Sequence, residues 1–280
     1  VNYRHAYHAG NFADLVKHAA LIAVLSRLAA GPGPLLVVDT HAGAGLYDLM
    51  GAEAVRSREA LAGVARLMGG KVPSALEPLK QAVAARNAAG EVRVYPGSPS
   101  LIMDFLRSQD RLVACELRPD DGARLRDVLK PMGPRAEVRE ADGYVELVAL
   151  ARSRRERLFA LIDPPFERAD DYLRLAQTFA AVLKARPDAG LLVWLPLKDL
   201  ETFDAFVRRI EPAAPEDMLI VEARLRPLTD PMRLNGCALV AVNAPAAAVE
   251  DIEAASGFVV EALGGPGGRA KLWRPNLAQP

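Results

Sequence analysis

Short runs rich in Val, Leu and Ile recur along the chain, at Leu35 to Thr40, Arg111 to Leu117, Ala136 to Asp142, Leu158 to Asp163, Gly190 to Leu195, Met218 to Leu225 and Cys237 to Asn243. They alternate with stretches of helical character, which is the pattern of a parallel sheet covered on both faces. The order predicts a doubly wound α/β fold. Ahead of the first run, Asp14 to Leu28 places Leu15, His18, Ala19, Ile22 and Leu25 at helical spacing and stops before Gly31-Pro32-Gly33-Pro34. Between Tyr47 and Gly90 the chain is alanine-rich and helical, with no convincing strand. An unstructured connection in such folds spans about 2–6 residues, so this stretch reads as an insertion. The expected division is a main domain of residues 1–46 and 91–280 with an inserted helical subdomain at 47–90. Gly264 to Pro280, rich in Gly and Pro, reads as irregular.

The 280 residues are enough to bury a full core, and no apolar run approaches the roughly 20 residues of a membrane span. With no N-terminal signal pattern, a soluble cytoplasmic protein without membrane contact is expected. Lysine plus arginine equal aspartate plus glutamate at 35 each, so no global charge attracts a polyanion. Nucleic acid must then be held by a local basic face. Candidates are Arg152, Arg154, Arg155 and Arg157; Arg224, Arg226 and Arg233; and Arg269, Lys271 and Arg274. Cys115 and Cys237 lie in apolar runs, as reduced and packed thiols do.

The candidate chemistry gathers where strands end. The first run leads into Asp39-Thr40-His41-Ala42-Gly43-Ala44-Gly45, a glycine loop that lets backbone pass close to a ligand. A dinucleotide fingerprint fails there, because no third glycine follows among Leu46, Tyr47 and Asp48. Glu116 closes the second long run, where an acid can accept hydrogen bonds from both hydroxyls of a ribose. Asp142 and Gly143 close the third. Asp163-Pro164-Pro165-Phe166 follows Leu158 to Ile162. Its two prolines hold the chain extended, so that Asp163 and the neighbouring carbonyls stand still at the sheet edge. Acceptors on both hydrogens of an adenine amine favour its attacking, pyramidal form, and Phe166 offers a face for stacking. The four histidines, His5, His8, His18 and His41, have no cysteine or paired carboxylate at ligand spacing, so no metal site is expected. His18 and His41 either face one ligand or are buried histidines bonded to backbone.

These residues resemble a known family. Asn2 to Asn11, Asp14, Lys17-His18, Asp39 to Gly45, Tyr95-Pro96-Gly97-Ser98-Pro99, Glu116, Ala141-Asp142-Gly143 and Asp163 to Phe166 are similar to bacterial 23S ribosomal RNA adenine-N6 methyltransferases of the large-subunit methyltransferase J type. The likeness fades after about Ala205. It implies a class I, Rossmann-like methyltransferase fold with an inserted helical subdomain; a monomer is expected. It further implies S-adenosylmethionine contacts from His18, His41, Ser98, Glu116, Asp142 and Gly143, with Asp163 catalytic. Tyr3, Pro164, Pro165 and Phe166 are then placed around the target base of 23S ribosomal RNA. The family often has tyrosine where Phe166 stands, which preserves stacking and puts only a hydroxyl contact in doubt. Two rival readings remain: an enzyme methylating guanine N2 of ribosomal RNA, and an RNA-binding or assembly protein without turnover.

Overall fold

The computed structural model describes residues 4–153 and 156–275. Its main sheet is built from β1 (Leu35–Asp39), β4 (Arg111–Cys115), β5 (Ala136–Arg139), β6 (Arg157–Ile162), β7 (Gly190–Leu197), β8 (Leu219–Arg224), β9 (Gly236–Val242) and β10 (Arg269–Trp273). The spatial order is β10-β8-β9-β7-β6-β1-β4-β5, and β2 (Leu46–Asp48) pairs separately with β3 (Val94–Pro96). The helices are α1 (Phe12–Ala30), α2 (Ala52–Ser57), α3 (Glu59–Ala62), α4 (Val64–Gly69), α5 (Glu77–Ala84), α6 (Ser98–Phe105), α7 (Pro119–Leu129), α8 (Gly143–Ser153), α9 (Asp171–Ala185), α10 (Leu200–Ile210) and α11 (Ala246–Leu263).

All seven strands expected from the apolar runs form, within a few residues of their expected ends. The sheet is not wholly parallel: β5, β4, β1, β6 and β7 are parallel neighbours, whereas β9 runs against β7 and β8, and β10 runs against β8. The return from β8 to β9 through residues 225–235, with no intervening helix, accounts for this, since a hairpin-type connection gives antiparallel pairing while a helical crossover allows parallel pairing. Gly264 to Pro280 also departs from expectation. Instead of trailing, the chain after α11 adds β10 to the sheet, pairing Arg269 with Arg224 through Trp273 with Ile220. Its side chains are exposed or half-buried, so the hydrophobic pattern that marks inner strands is missing. Residues 47–90 carry four short helices as read, but open on β2, a three-residue strand too short to announce itself.

Strand side chains alternate between two cores. Leu35, Val37, Leu112 and Phe159 pack toward α1 and α11, while Leu36, Val38, Val113 and Leu158 pack toward the face carrying α8 and α9. Helix α1 is buried along every residue from Ala13 to Leu25. Its first turn is capped by Asn11, whose side chain accepts the Asp14 N–H at 3.0 Å. The helix is therefore enclosed by protein on all sides over this stretch, and Asp14, Lys17 and His18 are buried with the apolar residues. The chain leaves β1, builds outward through β4 and β5, and returns on the other side of β1 as β6. That reversal opens a crevice beyond the carboxyl ends of the central strands, the place where such sheets bind ligands.

Candidate active site

Each acid picked out at a strand end reaches this crevice edge. Gly43 and Gly45 turn with positive φ of 61° and 78°, where a side chain is strained. Glu116 accepts the Gly43 N–H at 2.9 Å and, through its other oxygen, the Arg118 N–H at 2.8 Å. Both oxygens keep a lone pair, so the carboxylate can still accept from a diol. Burial pushes its pKa up, with the backbone donors opposing. Asp142 accepts the Tyr144 N–H at 3.0 Å and is paired to Arg174. Despite burial, Arg174 holds its carboxyl below the usual range. The Arg174 guanidinium also lies 4.8 Å over the Tyr144 ring. His41 meets that ring edge-on at 5.0 Å, and its Nδ1 lies 2.8 Å from the Thr40 hydroxyl. Burial pushes the His41 pKa down to about 4, so its ring is neutral at pH 7. At Gly143 a Cβ would come within 2.0 Å of the Thr40 carbonyl oxygen, so this glycine is required by the closeness of two backbones.

Asp39 ends β1 fully buried, with Oδ2 lacking any hydrogen-bond partner among the described residues. Burial pushes its carboxyl up to about 6; the Ser98 hydroxyl and Lys17 oppose the rise and the charge of Asp163 adds to it. Ser98 begins α6, itself almost buried. His18 is completely enclosed. Its Nδ1 lies 2.8 Å from the Tyr95 hydroxyl, the rings stack at 5.5 Å, and Nε2 has no hydrogen-bond partner among the described residues. Burial lowers its pKa to about 3.

Asp163 stands beyond β6 and is held by a cation that the residue pattern did not single out as functional. The Lys17 ammonium lies 2.5 Å from Asp163 Oδ2 and 2.8 Å from Asp14 Oδ1. Asp14 Oδ2 in turn receives the Gly10 N–H at 2.9 Å and lies 3.0 Å from His5 Nε2. Burial alone would neutralise these groups. Instead the surrounding carboxylates raise the Lys17 pKa well above its ordinary value, and despite burial His5 and Lys17 hold Asp14 well below its own. The Asp163 side chain keeps 15% exposure, enough to meet a substrate. Asp14, Lys17, Asp39, Tyr144 and Arg174 are thus additions to the site, all of them buried or half-buried.

Phe166 is half-buried, its backbone has φ of 52°, and its ring packs on Tyr172 at 4.6 Å and Trp194 at 6.0 Å. One expectation needs correction. Arg224 is no part of a basic face, being buried and paired with Glu222, to which Trp273 donates at 2.7 Å. Pro164 is buried and Pro165 half-buried beside Asp163, while Tyr3, Arg154 and Arg155 lie outside the described residues.

Residues 32–275 match the family model described as Ribosomal RNA large subunit methyltransferase D, RlmJ. The chain is 33% identical over 246 residues to Ribosomal RNA large subunit methyltransferase J of Escherichia coli, covering 88% of each. It is 29% identical over 247 residues to the protein of that name from Haemophilus influenzae, again covering 88% of each. A solved structure of a Legionella pneumophila protein superposes with a TM-score of 0.88 at 27% identity, covering 96% of this chain and 99% of that one. The match over residues 32–275, which carry the whole main sheet, establishes the descent: the chain belongs to the ribosomal RNA large subunit methyltransferase family that this model describes.

Proposed function

We propose that this chain transfers a methyl group from S-adenosylmethionine to N6 of an adenine in 23S ribosomal RNA. The observation that carries the reading is Asp163, fixed by Lys17 next to Pro164-Pro165 at the edge where Glu116 and Asp142 also stand. The residues present suit the cofactor. Asp39 Oδ2 and the Tyr144 hydroxyl are buried polar atoms with no partner among the described residues, and a bound ligand can satisfy such atoms. Glu116 would accept from the ribose, the loop through Gly43 and Gly45 would pass against the cofactor, and Asp142, His41 and Ser98 would line its sides. His18 is set behind them, through Tyr95. The cofactor supplies an electrophilic methyl on a sulfonium.

The protein's own part is to orient and to accept. Lys17 occupies Asp163 Oδ2, which leaves Oδ1 to accept one hydrogen of the adenine amine; a neighbouring backbone carbonyl accepts the other. Drawing on both hydrogens pushes electron density onto the nitrogen and favours the pyramidal form that attacks, and no strong base is needed. Held in line, the nitrogen would attack the methyl carbon as if within one molecule, the carbon–sulfur bond breaking with its electron pair left on sulfur, and the amine proton then lost would leave by way of Asp163 Oδ1 to solvent. The base must leave its stack to reach Asp163. We read residues 47–90 as an inserted helical subdomain and the acting species as a cytoplasmic monomer.

The decisive experiment is methyl transfer from labelled S-adenosylmethionine to unmodified large-subunit RNA, with the labelled nucleoside identified after digestion. N6-methyladenosine is expected, and N2-methylguanosine or no label would refute the reading. In the same assay Asp163→Ala should lose transfer while cofactor affinity stays within about fivefold, because the substitution removes only an interaction made to the reacting amine.

A further inference from the structure

The hold on Asp163 runs back through Lys17 and Asp14 to a stretch of chain with little regular structure of its own. Asp14 Oδ2 meets the Gly10 N–H at 2.9 Å and His5 Nε2 at 3.0 Å, and both partners belong to residues 4–11. That stretch forms one 3-10 turn, His5–Tyr7, and no strand. Helix α1 carries Asp14 and Lys17, yet the donors on Asp14 Oδ2 are what leave Oδ1 for the Lys17 ammonium. An acceptor about 1 Å out of place can cost roughly a hundredfold in rate, so something outside the stretch has to fix it.

The fixing points lie in the helical segment between β2 and β3. The Val64 N–H donates to the Gly10 carbonyl at 2.8 Å. At Gly63 a Cβ would come within 2.1 Å of that carbonyl oxygen, so the two backbones are pressed together. Glu59, the first residue of α3, reaches the same stretch with its side chain. It accepts from the Asn11 amide at 2.9 Å, and both its oxygens lie 3.0 Å from His8 Nδ1. The Asn11 side chain is used at both ends, since its oxygen accepts the Asp14 N–H at 3.0 Å. The Glu59 bond raises the His8 pKa, and against partial burial His8 and Asn11 hold the Glu59 carboxyl below its usual range. Arg58, just before it, has φ of 59°, a left-handed backbone that a bulky side chain adopts only where its surroundings hold it.

We propose that Glu59 is a positioning residue for methyl transfer: through Asn11 and His8 it fixes the N-terminal stretch on Asp14, and so sets the Lys17 ammonium that holds Asp163. The inference rests on the methyl-transfer reading above and gives the segment 47–90 a part in it. Glu59 and His8 keep 37% and 40% of their side-chain surface exposed, and so open a pair adds little to global stability. Local opening is a separate quantity, and a stretch can loosen while the fold stands. Loss of Glu59 is therefore read in rate and in local exchange rather than in melting.

The test compares Glu59→Ala with the wild-type chain on a transcript of large-subunit RNA that wild type methylates. The single-turnover rate at saturating RNA and cofactor should fall about tenfold, with cofactor affinity within about threefold, because only the placement of the acceptor changes. Hydrogen exchange at the Gly10 N–H, measured without cofactor or RNA, should quicken about tenfold, while the thermal midpoint stays within about 3 °C. His8→Ala/Glu59→Ala should be no more than about twofold slower than Glu59→Ala, since both changes break one network. As a control for stability alone, Val83→Ala in α5 removes fully buried methyl groups and should lower the midpoint with rate and Gly10 exchange as in wild type. A wild-type rate or wild-type Gly10 exchange in Glu59→Ala overturns the proposal, and so does an equal loss of rate in Val83→Ala. Should Glu59→Ala fail to fold, Glu59→Gln, which keeps one acceptor and the side-chain volume, decides both readouts. Absence of transfer by wild type to any RNA is a different failure, that of the parent reading, and Gly10 exchange then still judges whether Glu59 fixes the stretch.

Discussion

Among single residues, Asp39 shows best how position changes chemistry. The same carboxyl at a surface would be ionised above about pH 4. Buried at the end of β1 with one oxygen unbonded, it holds its proton up to about pH 6. A carboxyl whose folded pKa lies above its unfolded value favours folding at low pH, and this contribution is lost as pH rises from about 4 through 6. Asp39→Asn, neutral and nearly isosteric, should therefore raise the thermal midpoint of the ligand-free protein more at pH 8 than at pH 5. Calorimetry at the two pH values checks this; equal shifts would show that the carboxyl is not desolvated. Asp163 was legible in the sequence because the acid, two prolines and an aromatic follow a strand directly. Lys17 was not, because its partner lies 146 residues away and nothing in α1 announces it.

At the scale of elements, local pattern served inner strands well and edges poorly. The β1, β4, β6 and β7 segments are buried on both faces, so each is a continuous apolar run visible without knowledge of its neighbours. β10 carries exposed and half-buried residues and follows glycines, so its composition resembles a loop. What makes it a strand is the open edge of β8, whose Ala223 and Val221 are buried and whose backbone groups need partners. Ending the chain after Gly268 should leave that edge unpaired and take away Trp273, which bonds Glu222. The expected result is a protein more prone to self-association, seen as concentration-dependent light scattering with a lowered thermal midpoint. An unchanged, monodisperse truncation would mean that β10 contributes little to closing the sheet.

For the molecule as a whole, two cores share one sheet, and the crevice opens where the chain reverses beside β1. A ligand bound there touches the ends of four strands from both halves of the sequence. S-adenosylmethionine at about a hundred times its Kd should add about 2.7 kcal/mol to stability, a rise of roughly 5 °C in the thermal midpoint for a chain of this size. Differential scanning fluorimetry measures it, and no shift at saturating cofactor would argue that the crevice is not the cofactor site. The balanced charge of 35 against 35 means that attraction to RNA must come from local groups. Of the arginine groups visible in the sequence, the structure leaves Arg226 and Arg233 without an ion pair among the described residues and commits Arg224 to the interior.

The sequence by itself determined the succession of inner strands, the burial of the central strands and the acids that stand at their ends, because these follow from neighbours within a few residues. Hydrophobic period and turn chemistry are local quantities. The tertiary structure alone decided what each polar group faces. It enclosed α1 on all sides, paired Lys17 with Asp163, turned the Phe166 ring toward Tyr172 and joined β10 to an open edge. Those outcomes depend on partners dozens to more than a hundred residues away, and a buried charge or an unpaired strand edge costs free energy until such a partner is supplied.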